Sequence, residues 1–306
     1  MTTGFTWDDY VTSLVEREGT LAAVAEKLAA AHNFADDVAS VERALRRLRG
    51  RELRPGGKWG TRLVALFGLP STVERRLRWM AAYHSRFADL PVPVCEDLVR
   101  LWDHPPTTER LESRSWLALA RASIALRKND HDQAETQLAS VRGELDVGLR
   151  VEHALVRAYL AREAAAPLLD DAARALATMP PDDDRACLLA RLTDQRAHAL
   201  NRAREHAAAE ALFRALPIDN VPPFARCRRA GGLAYARWKQ GHIDEAAAFA
   251  RDAATHAGDG GHVRLRVMAL AMLARIDPRE HVAHERAVTI ARRLEDETLL
   301  FRLTRG

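Results

Sequence analysis

Eight basic side chains crowd one short window of this sequence. Arg43, Arg46, Arg47, Arg49, Arg51, Arg54, Lys58 and Arg62 stand against the single acid Glu52, a local charge of +7 in a chain whose net charge is +4. Guanidinium groups at that density neutralise phosphates and read guanine edges, which makes the window a candidate nucleic-acid surface. Other groupings promise less. Gly57-Lys58 begins like a phosphate loop, but Trp59 replaces the hydroxyl residue that would hold magnesium, and Glu52 takes the first glycine position. His281, His284 and Glu285 could share a helix face, yet helical zinc sites use histidines four apart and need a third ligand. His84-Ser85 lacks the third group that would activate a nucleophile. Asp182-Asp183-Asp184, after Pro180-Pro181, reads as carboxylates capping a helix start. Cys95, Cys187 and Cys227 are far apart and odd in number, so they read as reduced packing residues. No catalytic residue, metal or cofactor is expected, and hence no enzyme.

The elements that must position the basic window are helices. Ala, Leu, Arg and Glu dominate, aromatics are 6% of the residues, and no alternating strand pattern stands out. Thr6 and Asp9 can cap a first helix carrying Trp7, Tyr10, Val11, Leu14 and Val15, which Gly19 ends. Thr20 caps a second, with Leu21, Val24 and Leu28 on one face. After a break at His32-Asn33-Phe34, Asp36 or Asp37 opens a third, with Val38, Val41, Leu45 and Leu48 opposite Arg43, Arg46 and Arg47. The turn Arg54-Pro55-Gly56-Gly57 leads to a fourth, bearing Leu63, Leu66 and Phe67. Residues 1–70 thus form a four-helix N-terminal domain. Ser71 and Glu74 form a capping box for a helix through Phe87, and a second helix from Val94 to Trp102 completes a connecting pair over residues 71–111.

Internal repetition follows. Ala134, Ala172, Ala208, Ala246 and Ala283 each open the packed face of a second helix, at separations of 38, 36, 38 and 37. Repeats of that size mark stacked helical pairs, because one pair cannot bury its apolar face alone. The stretch Lys239-Gln240-Gly241-His242-Ile243-Asp244-Glu245-Ala246, within Gly232–Ala254, resembles the turn and second-helix start of a tetratricopeptide repeat (TPR). Leu233, Ala234, Ala236, Ala246, Ala250 and Ala253 would let its two helices approach closely. The Arg127–Gln133 turn before Ala134 is similar. The resemblance covers Glu112 to about Leu294 and implies an all-α, TPR-like α-solenoid of about five to six hairpins in residues 112–306.

A TPR-like array implies a concave groove lined by the first helix of each pair. The inward positions would be Trp116, Leu119, Ser123 and Arg127, then Arg228, Tyr235, Trp238 and Lys239, joined by Arg157, Asn201, Met272 and Arg275. A mixed aromatic and basic groove suits a peptide or acidic protein segment. The lysine-and-asparagine clamp of some TPR proteins is not carried over, since Ser123 and Tyr235 stand where its asparagine should be. For residues 1–70 three readings are open: a helix-turn-helix-like DNA reader, a helical cap with solvated arginines, or an adaptor bundle similar to death-fold modules. The leading expectation follows the arrangement of bacterial helix-turn-helix/TPR regulators: double-stranded DNA on the N-terminal helices, and a protein or peptide, or a second copy in a homodimer, on the array. A scaffold that grips only proteins is the alternative. With no membrane span and no signal peptide in the sequence, the expected location is cytoplasmic.

Overall fold

A computed structural model describes residues 4–31, 38–143 and 145–304. Within these residues the chain is helical and no strand is found. The N-terminal helices are α1 (Trp7–Glu18), α2 (Leu21–Ala31), α3 (Val38–Arg49) and α4 (Gly57–Phe67), followed by α5 (Ser71–Ala81) and α6 (Val92–Trp102). The remaining helices are α7 (Leu111–Arg127), α8 (His131–Ala139), α9 (Val147–Ala161), α10 (Ala166–Ala177), α11 (Asp183–Arg202), α12 (His206–Arg214), α13 (Pro223–Lys239), α14 (Ile243–Asp259), α15 (Val263–Ile276), α16 (His281–Leu294) and α17 (Glu297–Thr304).

Local chemistry sets these elements as expected at several points. Thr6 caps α1 in a reciprocal capping box with Asp9, and Gly19 ends the helix at a φ of 91°. On α3, Val41, Ala44, Leu45 and Leu48 are buried while Arg43, Arg46, Arg47 and Arg49 are exposed. The proposed break at His32-Asn33-Phe34 and the Asp36/Asp37 start lie outside the described residues. Asp182 caps α11 by accepting from the Arg185 amide.

Two expectations fail. Pro70, not Ser71, precedes α5, and Glu74 pairs with Arg110 instead of closing a capping box. That helix ends at Ala81, not Phe87. Ala82 turns extended, and the next amide, of Tyr83, donates to Glu152 in place of continuing the helix. A short 3-10 turn, Arg86–Asp89, then leads into α6.

Helices adjacent in sequence pack as pairs, α7 with α8 through α15 with α16, and the odd-numbered members also touch one another in succession. The alanine period explains the pairing, with one correction. Ala208 is exposed, and Ala209 is the buried alanine of α12. Ala134, Ala172, Ala209, Ala246 and Ala283 are all buried, so the separations become 38, 37, 37 and 37. A methyl is the largest group that leaves the two backbones in contact there. Gly232 is tighter still: a Cβ on it would collide with the Phe213 ring.

The N-terminal helices are not a detached body. One apolar cluster runs from Trp7 and Tyr10 on α1 through Val73 and Met80 on α5 to Leu117 on α7 and Leu149 on α9. At the other end, α17 packs on α7, so the last helix meets the first helix of the paired series.

Candidate functional site

The residues enclosed by this arrangement make a cavity of about 1490 Å³. Its apolar wall includes Leu155, Leu169, Leu212, Leu265, Met268 and Met272, and its polar wall includes Arg127, Arg191, Arg228 and Arg264. Three of these guanidinium groups come from equivalent places on successive first helices, Arg191 on α11, Arg228 on α13 and Arg264 on α15, at separations of 37 and 36. The alanine repeat and the arginine ladder are two faces of one periodicity. One faces the helix seam and the other the cavity.

Into this ladder the turn after α5 inserts Tyr83 and His84. The Tyr83 hydroxyl accepts from Arg228 Nη2 at 3.0 Å and from Arg264 Nη1 at 2.8 Å. The Arg191 guanidinium stands 4.7 Å from the centre of the Tyr83 ring, in cation–π range. Burial alone would raise the phenol pKa. Arg264, Arg228 and Arg191 outweigh burial and the opposing Asp194, and bring it down to about 8.

His84 bridges two acids. Its Nε2 lies 3.0 Å from Asp184 Oδ1 and its Nδ1 3.5 Å from Glu152 Oε1. Burial opposes the charged ring, but the two carboxylates push its pKa up to about 9. Glu152 is itself buried and also pairs with Arg191. Despite burial, Arg191 and His84 hold its carboxyl down to about 2. The Phe224 ring meets Tyr83, His84 and His262 edge-on, at centroid distances of 6.4, 6.0 and 5.4 Å.

The ladder ends at Asp296, which is fully buried. It accepts from Arg264 Nε at 2.7 Å and Arg127 Nε at 3.1 Å, and caps α17 through the Leu299 amide. Arg127 also donates to the Leu90 and Leu294 carbonyls. The contact between α7 and α17 is therefore a closed polar junction, extended by Thr298 donating to the Leu126 carbonyl.

Of the expected groove residues, Ser123, Arg127, Asn201, Arg228, Tyr235 and Met272 line this cavity. The others lie elsewhere. Trp116 is buried beneath Arg78, and Leu119 is buried in the core. Arg157 lines a separate pocket of about 460 Å³ beside His153. Lys239 stacks on Trp238 at 4.0 Å, and Arg275 donates to the Arg302 carbonyl. Tyr83, Arg191, Asp194 and Arg264 were missed as cavity residues. One period of 37 back from Arg228 reaches Arg191, and one period on falls a single residue past Arg264. Tyr83 comes from outside the repeats and carries no such signal.

The basic window is on the surface. Arg43, Arg46, Arg47, Arg49, Arg51, Arg54 and Lys58 are exposed, whereas Arg62 is half-buried, 5.9 Å from the Trp59 ring centre. Arg46 pairs with Glu42, Arg49 with Asp8, and Arg51 donates to the Pro55 carbonyl. The glycines nearby serve packing: a Cβ on Gly56 or Gly60 would strike the Trp7 ring, whose Nε1 donates to the Arg54 carbonyl.

Cys95, Cys187 and Cys227 are buried and unpaired, and burial lifts the Cys187 and Cys227 thiols to about 12 and about 11. Thiols held protonated in this way are poor nucleophiles. No group of three metal-ligating side chains is found among the described residues, and no described helix is long and apolar enough to cross a membrane. Comparison with protein-family models, with curated proteins and with solved structures finds no match to this chain.

Proposed function

We propose that the chain is a non-enzymatic regulator of TPR-like build, whose helical pairs form a receptor for an acidic ligand. The observation that carries this reading is the arginine ladder facing a cavity of about 1490 Å³. An apolar wall opposite a few convergent polar groups is the usual make-up of a ligand site. The N-terminal helices would be the output. On α3 the exposed Arg43, Arg46 and Arg47 stand opposite the buried Val41, Leu45 and Leu48, which suits a helix laid on the phosphate backbone of double-stranded DNA. The continuous core from α1 through α5 gives the cavity a mechanical route to that face, and ligand binding would act by shifting the population of N-terminal orientations.

Binding of the full chain to a fluorescent DNA duplex across a salt series tests the output. Each phosphate-neutralising arginine contributes about −0.9 to the log–log slope. The triple variant Arg43→Ala/Arg46→Ala/Arg47→Ala should flatten that slope by two to three contacts, so roughly 2–3 in the exponent. Absence of binding at low salt, or a slope indifferent to the three arginines, would leave a protein-gripping scaffold. That reading predicts a stable protein partner that co-purifies with and without nuclease.

A further inference from the structure

Two guanidinium N–H donors converge on a single oxygen at Tyr83, 2.8 and 3.0 Å away. This is the geometry with which arginines hold a carboxylate oxygen. A phenol offers one oxygen where a carboxylate offers two, and Arg228 Nε is left buried beside it with no hydrogen-bond partner. The neighbours limit the charge such a site can take. Arg191 already pairs with Glu152 and Arg264 with Asp296, and Asp194 holds Arg228 Nη1 at 2.9 Å. Arg127 also shares Asp296, and charged His84 shares Glu152 and holds Asp184, so five cations face four carboxylates. One further negative charge suits the cluster, whereas a phosphate dianion would exceed it and be set against Asp194. On the cavity side, Leu265, Met268, Ala269 and Met272 form an apolar surface next to Arg264 and Arg228.

We propose that the Arg228–Arg264 pair is a carboxylate site at the end of the cavity, occupied in this state by the hydroxyl of Tyr83 as a built-in competitor. The ligand is a monocarboxylate on an apolar body: either a free aliphatic acid or one acidic residue within an otherwise apolar peptide. Its carboxylate displaces Tyr83 and thereby moves the turn between α5 and α6. The proposal rests on reading the cavity as the binding site. The lowered phenol pKa accords with it, because it reports how strongly these guanidiniums favour an anion at this position.

Calorimetric titration of the full chain tests it with three probes: dodecanoate, dodecanol, and an end-capped octapeptide with a single Glu among Leu and Ala. Dodecanoate or the peptide should bind, and which of them binds tells the two sources apart. Tyr83→Phe, which removes the competing oxygen and leaves the ring, should bind several-fold tighter. Arg228→Lys and Arg264→Lys, which keep the charge but lose the fork, should bind about tenfold or more weakly. A spectroscopic readout is independent of affinity. Phenolate absorbance at 295 nm should show a component with a midpoint near pH 8 that is absent from Tyr83→Phe and moves to higher pH with ligand bound. If dodecanol binds as tightly as dodecanoate, and Tyr83→Phe changes nothing, the cavity is an apolar pocket and the carboxylate site is wrong. If none of the probes binds the wild type or Tyr83→Phe, the cavity reading falls with it.

Discussion

Tyr83 and His84 are neighbours whose protons pull stability in opposite directions with pH. For His84 the folded pKa is raised to about 9 from an ordinary 6.5, so its ion pairs with Asp184 and Glu152 stabilise the fold fully below pH 6.5 and are lost as pH rises through 9. For Tyr83 the folded pKa is lowered to about 8 from 10, so its contribution is complete only above pH 10 and is lost as pH falls through 8. Urea unfolding of His84→Gln should therefore show a deficit on the order of 2 kcal/mol at pH 6 that closes by pH 9.5. Tyr83→Phe should show a deficit that opens between pH 8 and 10 instead. Deficits that run in parallel with pH would mean that the two groups do not titrate as their surroundings dictate. Neither behaviour could be read from the sequence, where His84-Ser85 has no visible partner. Asp184 was legible as a capping acid near a helix start, but its contact with His84 spans one hundred residues. Only the fold brings Glu152 to the same ring.

At the scale of elements, the periodic features were legible and the non-periodic ones were not. Alanines near every thirty-seventh residue identify the helix pairs because only a small side chain fits the seam. The substitution of Ala209 for Ala208 shows the limit, since two adjacent alanines look alike until one of them is buried. The helix α5 stops early because tertiary partners claim the Tyr83 amide and hydroxyl, and local propensity holds no trace of that competition. The Gly56–Gly60 turn is the reverse case. Its glycines hint at phosphate binding, yet Gly56 and Gly60 let the backbone lie against Trp7, and Gly57 supplies a φ of +60°. Gly60 sits inside α4, where alanine would ordinarily favour the helix. Gly60→Ala should nevertheless destabilise by about 1–3 kcal/mol, because a methyl overpacks a ring that is already fully buried. The denaturation midpoint and the near-ultraviolet circular dichroism of Trp7 check this. A neutral or stabilising result would show that the tryptophan can shift, and that the N-terminal core is looser than its contacts imply.

Across the whole molecule, α7, the first helix of the paired series, is joined at Asp296 to α17, which follows the last pair. An open array of helical pairs behaves as a one-dimensional chain in which terminal pairs can fray alone. Closure changes this, because losing α17 also strips Arg127 and Arg264 of their shared carboxylate. Buried guanidinium groups without a counter-ion are costly, and removing one partner of a buried pair typically destabilises by about 3–5 kcal/mol. Asp296 also caps α17 through the Leu299 amide, so the two roles must be separated. Asp296→Asn keeps an acceptor for that amide and loses the charge, whereas Asp296→Ala loses both and should cost about 1 kcal/mol more. Thr298→Val, which removes one hydrogen bond to the Leu126 carbonyl, should cost only about 1 kcal/mol. Hydrogen exchange supplies the decisive comparison. In the wild type, amides of α7 and α15 should exchange only with global opening. In Asp296→Ala both helices should lose protection together, although they lie far apart in sequence. Loss confined to α17 would mean that the junction is a local cap and the series of pairs is effectively open. Ligand-driven movement at Tyr83 would then have no closed frame to act against.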